Sequence, residues 1–281
     1  MPLFSIVIST YNAKSCLANC LDSILTQRLQ DWEILLVDGG STDGTVGVIQ
    51  QYSDNIAFSV SEPDDGIYDA WNKALPHLKG DWVVFLGADD VFASPDVLAQ
   101  VAELVQSELP DDISLIYGLV DLIDPATGDM IEQFGTGEWG GLQERLDSEL
   151  PFSHTGLFHR RSLFRDHGAF DSAYRITGDY EFLLRAMKDP GVKASRVPFT
   201  VAHMAAGGIS SSLASRLLTY REAARARRSH GLFPAPVWLA GLWARSLAAF
   251  LLHKLFGARA LLLCSNMFRH LVGKRPRRSL S

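Results

Sequence analysis

The chain has 281 residues, 47% apolar and 21% charged, with 23 glycines and 12 prolines, which excludes a disordered, collagenous or low-complexity protein. Its formal net charge of −6 hides a division: residues 1–215 hold 13 Lys and Arg against 31 Asp and Glu, and residues 216–281 hold 13 against the single acid Glu222. So acidic a body argues against nucleic acid as a partner.

The opening MPLFSIVISTYN has no basic segment and its apolar run is strand-length, which argues against a signal peptide. FSIVIS (4–9) reads as a first strand. Leu17, Cys20, Leu21, Ile24 and Leu25 then share one helical face. Cys16, Cys20 and Cys264 are too few for a disulfide framework, so buried free thiols and a reducing, cytosolic setting are expected. WEILLVD (32–38) is a continuous apolar run ending in an acid, the mark of a strand covered on both faces. The loop GGSTDG (39–44) leads into a helix from Thr45, followed by a strand IAFSV (56–60), a helix Ile67–Leu78, a strand WVVFL (82–86) and a helix Pro95–Leu109. This alternation predicts an α/β fold with a mostly parallel, doubly wound sheet. Ligands of such sheets sit at the carboxyl ends of strands, so Asp38 and the pair Asp89–Asp90 should face one crevice.

Beyond residue 110 the pattern is mixed. SLIYGLVDLI (114–123) and Met130–Phe134 predict a hairpin around Pro125–Gly128, FHRRSLF and GDYEFLLRAM two helices, and RVPFTVAHM (196–204) a last strand. Ser211–Arg228 reads as a basic helix.

Three motifs in order, SIVISTYN, EILLVDGGSTDGT and KGDWVVFLGADD, resemble glycosyltransferase family 2 over roughly residues 3–210. The resemblance implies a GT-A fold and a nucleotide-sugar donor. It implies a catalytic domain over 1–210, with a nucleotide-sugar half (1–110) and an acceptor half (111–210), and an appendage over 211–281. SEPDDGIYDAWNKA followed by LGADD is similar to bacterial enzymes that build O-antigen and other surface polysaccharides.

A departing nucleoside diphosphate needs its charge neutralised, which Mg²⁺ or Mn²⁺ on hard oxygen ligands does well. Asp89 and Asp90 are adjacent acids after a buried strand and would repel each other without a cation or hydrogen-bond donors; alternatively they cap the next helix. The family commonly carries an acid where this chain has Gly87, so the metal should rest mainly on Asp89, with Asp90 second. By resemblance, Ala88 and Asp89 border the donor, Thr10, Tyr11 and Asn12 border the base with Tyr11 offering a stacking face, and Asp65, Asn72 and Lys73 line the donor pocket. Asp38 can accept from the N3–H of uracil or thymine, or can cap the following helix. Asp179 aligns with the family's catalytic base, which takes the proton of the attacking hydroxyl and so inverts the anomer. His154 is expected on the acceptor side or as a packing residue, and His203 as a ligand to metal or diphosphate.

The tail is apolar and cationic. Its longest uncharged run, Ser229–Ala244, spans 16 residues and contains Pro234 and Pro236, short of the ~20 that a membrane-spanning helix needs. Trp238, Trp243, Phe250 and Phe256 suit the headgroup boundary, and each basic residue near anionic lipid gains about 1 kcal/mol. The expectation is peripheral attachment to the cytoplasmic face of the inner membrane, beside a polyprenyl-diphosphate-linked saccharide acceptor; packing on protein is the alternative. Two competing functions are a sugar nucleotidyltransferase, for which STYNAKS lacks the phosphate loop, and a catalytically weak nucleotide-sugar-binding component of a membrane assembly.

Overall fold

The computed structural model describes residues 1–107, 109–110, 112–138, 153–208 and 213–232, with isolated helical positions from 241 to 267. Pro234, Pro236, Trp238, Trp243, Phe250, Phe256 and Cys264 lie outside the described residues. The chain divides into two compact units, Met1–Ala205 and Ala206–Ser281.

The first unit opens with β1 (Phe4–Thr10), α1 (Leu17–Leu25), β2 (Trp32–Asp38), α2 (Thr45–Gln51), β3 (Phe58–Ser61), α3 (Ile67–Ala74) and β4 (Trp82–Gly87). Their order in the sheet is β3-β2-β1-β4, all parallel. Ile6, Ile8, Ile34, Leu36, Val84 and Leu86 are fully buried, as continuous apolar strands covered on both faces require. The predicted helix 67–78 is shorter than expected: α3 stops at Ala74, and Leu75–His77 form a 3₁₀ turn around Pro76, which cannot donate to a helix ladder.

The sheet continues with β5 (Val91–Phe92), β6 (Ile113–Ile123), β7 (Met130–Phe134), β8 (Leu157–Arg160) and β9 (Lys193–Ala205). Here pairing is mixed: β8 runs antiparallel to β4 and β6, β9 parallel to β6, and β7 and β5 antiparallel to β6 and β9. The helices of this half are α4 (Val97–Ser107), α5 (Ser162–His167) and α6 (Gly178–Ala186). FHRRSLF was expected to be helical, but Phe158–Arg160 belong to β8 and only the residues from Ser162 onward wind into α5. Burial of Leu157, Phe158 and His159 between β4 and β6 overrides the helical preference of the arginines.

Register aligns Thr10 with Asp38, Asp38 with Ser61, and Ser9 with Gly87. The carboxyl ends of four parallel strands therefore share one edge, and the strand order switches between β1 and β4.

In the second unit, α7 (Leu213–Ser229) carries Arg227 and Arg228 in its last turn, and two residues past its end Gly231 takes a φ of +79°, the left-handed geometry of a helix stop. No helix among the described residues is long and apolar enough to cross a membrane.

Candidate active site

The crevice begins where two loops are stitched together at the tips of β1 and β2. Asn12 takes a left-handed φ of +49°, which asparagine tolerates. Its N–H donates to Ser41 Oγ at 2.7 Å and its Oδ1 accepts from Thr42 N at 3.0 Å. Ala13 N donates to Thr45 Oγ1 at 2.9 Å. Thr10 is buried and its hydroxyl has no partner among the described residues. Tyr11 stands out from this seam, 67% exposed, with its ring open to stacking.

Asp38 is fully buried. Its carboxylate accepts from Gly40 N (3.2 Å), Ser41 N (2.9 Å), Ser41 Oγ (2.5 Å) and Ser61 Oγ (2.6 Å). Sequence offered it a base N–H; in this structure the loop and β3 supply three donors to Oδ2 and one, Ser41 Oγ, to Oδ1.

The next loop lies against the first. A Cβ at Gly39 would sit 2.6 Å from Asp64 Oδ2, so any larger residue there would push the Asp64 carboxylate aside. Asp64 Oδ1 accepts from Gly66 N at 2.9 Å as α3 begins. Asp65 is exposed, with its N–H directed at Asp69 Oδ2, 3.2 Å away. Lys73 ties the same segment, reaching Glu62 at 3.0 Å, Asp69 at 3.4 Å and the Pro63 carbonyl at 3.1 Å.

Asn72 was expected in the donor pocket, but both ends of its amide serve another purpose. Nδ2 donates to Phe170 O at 2.8 Å and Oδ1 accepts from Phe170 N at 2.9 Å, clasping the loop that leads to α6. On α6, Asp179 meets Tyr68 of α3: the phenol lies 3.0 Å from Asp179 Oδ1 and 2.7 Å from the Ile176 carbonyl. A Cβ on Gly178 would come within 2.8 Å of the Tyr68 ring. Contacts thus run from the Asp38 loop through Asp64 and α3 to Asp179, all within the first unit.

Structure splits the adjacent acids. Asp89 is exposed and Asp90 buried. Asp90 Oδ2 accepts from Gly87 N (3.0 Å) and Thr155 Oγ1 (3.1 Å). Burial, and then the Asp89 charge, push its carboxyl up to about 6. Asp90 therefore braces the turn, while Asp89 and the buried Ala88 face the strand end. His203 on β9 pairs with Val91, two positions past Asp89. Its Nδ1 is buried without a hydrogen bond and lies 3.7 Å from Asp121 Oδ2. Carboxylate oxygens such as those of Asp89 suit Mn²⁺ or Mg²⁺. Among the described residues no three His, Cys, Asp or Glu side chains gather as a complete metal cluster.

His154 was offered to the acceptor side or to packing, and its surroundings are those of a packing residue. It stacks on Trp71 at 4.8 Å and lies 4.9 Å from His159 and 5.3 Å from Phe85. Burial holds it well below the usual histidine range and holds His159 at about 3.

Sequence reasoning passed over Tyr68, Asp64 and Thr155. Tyr68 and Asp64 lie inside the quoted SEPDDGIYDAWNKA, but the partner of Tyr68 is 111 positions away.

Residues 5–166 match the model of glycosyl transferase family 2. A PGL/p-HBAD biosynthesis glycosyltransferase of Mycobacterium bovis is 34% identical over 221 residues, covering 76% of this chain and 82% of that protein. Among solved structures, the mannosyltransferase PcManGT from Pyrobaculum calidifontis, in complex with GDP-Man and Mn²⁺, aligns with a TM-score of 0.64 at 19% identity, covering 98% of this chain and 81% of the other. S. aureus TarS 1–349 in complex with UDP-GlcNAc aligns with a TM-score of 0.63 at 18% identity, covering 88% and 72%. At these identities the structural likeness speaks for the fold, which is GT-A, a curled mixed sheet with flanking helices. The family match and the relative's identity extend the conclusion from fold to activity: the chain is a glycosyltransferase and belongs to glycosyl transferase family 2.

Proposed function

We propose that this glycosyltransferase is inverting and moves one sugar from a UDP- or dTDP-linked donor to a hydroxyl of a lipid-linked glycan, in bacterial surface-polysaccharide assembly of the O-antigen type. The observation that carries the proposal is the contact between Tyr68 and Asp179, which ties the proposed base to the helix that follows the donor loop. Tyr11 supplies the exposed ring for the base, and Asp65 and Lys73 border the donor. Asp179 accepts the proton of the acceptor hydroxyl as its oxygen attacks C1; the bond from C1 to the diphosphate breaks on the opposite face, so the anomer inverts.

Asp89 and His203 are the residues that would hold Mn²⁺ or Mg²⁺. A bound cation would neutralise charge on the departing diphosphate. Two protein donors completed by substrate phosphates is a common arrangement for such ions.

The acceptor is proposed to be a polyprenyl-diphosphate-linked saccharide, met at the cytoplasmic face of the inner membrane. Leu251, Leu255, Leu263 and Met267 of the second unit support this, being apolar and 47–72% exposed in a segment that is also basic. Deleting residues 231–281 should release the protein from membranes, and an unchanged membrane fraction would remove that part of the proposal.

Thermal-shift measurements with UDP-, dTDP- and GDP-sugars, with and without Mn²⁺, test the donor; stabilisation by none of them refutes it. Gly87 and the missing third metal donor among the described residues favour a second reading, a nucleotide-sugar-binding component with weak catalysis. Manganese-dependent turnover that disappears in Asp179→Asn while donor binding persists excludes it.

A further inference from the structure

At the opposite edge of the sheet, by the amino ends of β1 and β4, lies a cleft of about 780 Å³. That is within the ~300–1,000 Å³ typical of small-ligand sites. β1 has seven residues, so at ~3.3 Å each the cleft is about 20 Å from the crevice. Leu3, Leu75, Leu78, Trp82 and Val105 make its apolar lining and Arg160, Arg161 and Arg165 its cationic one, with Ser162 and one acid, Asp81, completing it. Three of the 13 basic residues in the acidic stretch 1–215 are thus concentrated in one concavity.

The arginines are unequally partnered. Arg165 pairs with Asp166 at 2.8 Å. Arg161 donates to the Leu78 carbonyl at 3.1 Å and lies 3.5 Å from Asp81. Arg160 lies over the Trp82 ring, 5.2 Å from its centroid. Among the described residues its guanidinium makes no hydrogen bond or ion pair, and its Nε is buried. A half-buried guanidinium that makes no ion pair is costly unless a ligand supplies the anion, and arginine's planar fork matches phosphate oxygens.

We infer that this cleft is a second binding site, for a single phosphate-headed lipid chain. The phosphate sits against Arg160 and its neighbouring arginines, and the hydrocarbon lies along Leu75, Leu78 and Trp82. Apolar floor and cationic rim together select an amphiphile over a free anion, since inorganic phosphate leaves the apolar lining uncovered. The site does not depend on the chemistry proposed for the crevice.

The test titrates the full chain with dodecyl phosphate below its micellar concentration, followed by calorimetry, with inorganic phosphate and neutral dodecyl maltoside as parallel arms. Dodecyl phosphate is expected to bind at least tenfold more tightly than either, and at least tenfold more weakly to Arg160→Gln, with nucleotide-sugar binding unchanged. Equal binding by wild type and variant overturns the site, because the basic tail alone would then explain it. Inorganic phosphate binding as tightly as dodecyl phosphate reduces the site to an anion site, and dodecyl maltoside binding as tightly reduces it to an apolar groove; either overturns the inference. Should Arg160→Gln fail to fold, Arg165→Gln on the rim, 78% exposed, is expected to weaken dodecyl phosphate binding about threefold, and no change there also overturns it.

Discussion

Tyr68 presents one hydroxyl to two acceptors, Asp179 Oδ1 at 3.0 Å and the Ile176 carbonyl at 2.7 Å. A phenol has one proton, and this arrangement lets it serve Asp179 in both charge states. While Asp179 is ionised, the phenol donates to it. Once Asp179 has taken a proton, the acid can donate to the phenol oxygen and the phenol to Ile176. Burial, with the Asp179 charge adding to it, pushes the phenol well above its ordinary range, so it stays protonated.

Tyr68→Phe removes the hydroxyl and keeps the ring against Gly178. Turnover should fall about tenfold, equivalent to ~1.4 kcal/mol, with the donor KM unchanged. A carboxylate that loses a donor holds its proton more tightly, so the acid limb of the kcat profile should move to higher pH. A fall in kcat with an unmoved limb would assign Tyr68 a purely structural role. Full activity in Asp179→Asn would instead dismiss the base itself.

Asn72→Asp separates a structural clasp from a donor contact. The carboxylate can still accept from Phe170 N but meets the Phe170 carbonyl with no proton to give. Stability to denaturant should drop by roughly 2 kcal/mol, as for a lost buried hydrogen bond with an acceptor left unpaired. Donor affinity, measured below the unfolding range, should stay within twofold; a larger loss would return Asn72 to the donor pocket.

The parallel half of the fold was legible because its strands are apolar on both faces, so runs such as WEILLVD announce themselves without a partner. Even there, IAFSV begins two residues before β3, whose register with β2 runs over Phe58–Ser61. The mixed half was less legible. Four residues of β8 carry too little pattern to outweigh two arginines, and their strand character comes from β4 and β6. Among site residues, types and strand ends were readable, but engagement was not. Nothing in a sequence says that Asp38 is spent on Ser41 and Ser61, that Asp90 turns inward to Thr155, or that His154 lies under Trp71. Each depends on a contact between distant segments.

The two buried histidines give the fold a pH dependence of definite sign. His159 is held at about 3, against an ordinary value of 6.5, by burial that outweighs the raising effect of the Val83 and Leu157 backbone, and His154 is lowered by burial with His159 adding to it. The unfolded chain therefore binds more protons between pH 6.5 and 3, and stability present above 6.5 is lost as the pH falls through that window. The limiting slope is about 1.4 kcal/mol per pH unit for each histidine. In urea unfolding at pH 7, 6 and 5, His159→Leu should show a shallower decline than wild type. Parallel declines would mean that the cluster admits protons without unfolding.

Gly87 stands where the family commonly has an acid, and restoring that acid should harm this chain. A Cβ there would sit 2.9 Å from Asp89 Oδ1 and 2.9 Å from Asp90 Oδ2, tighter than real contacts of this kind. Gly87→Asp would crowd the turn and add a third negative charge beside a carboxyl already pushed up by burial and its neighbour. Gly87→Ala isolates the crowding from the charge. Both variants should melt several degrees below wild type, Gly87→Asp the lower of the two, and Mn²⁺ should not close the gap. If Mn²⁺ stabilises Gly87→Asp above wild type, the turn has room for a third ligand, and Asp90 is held inward only because the acid at 87 is missing.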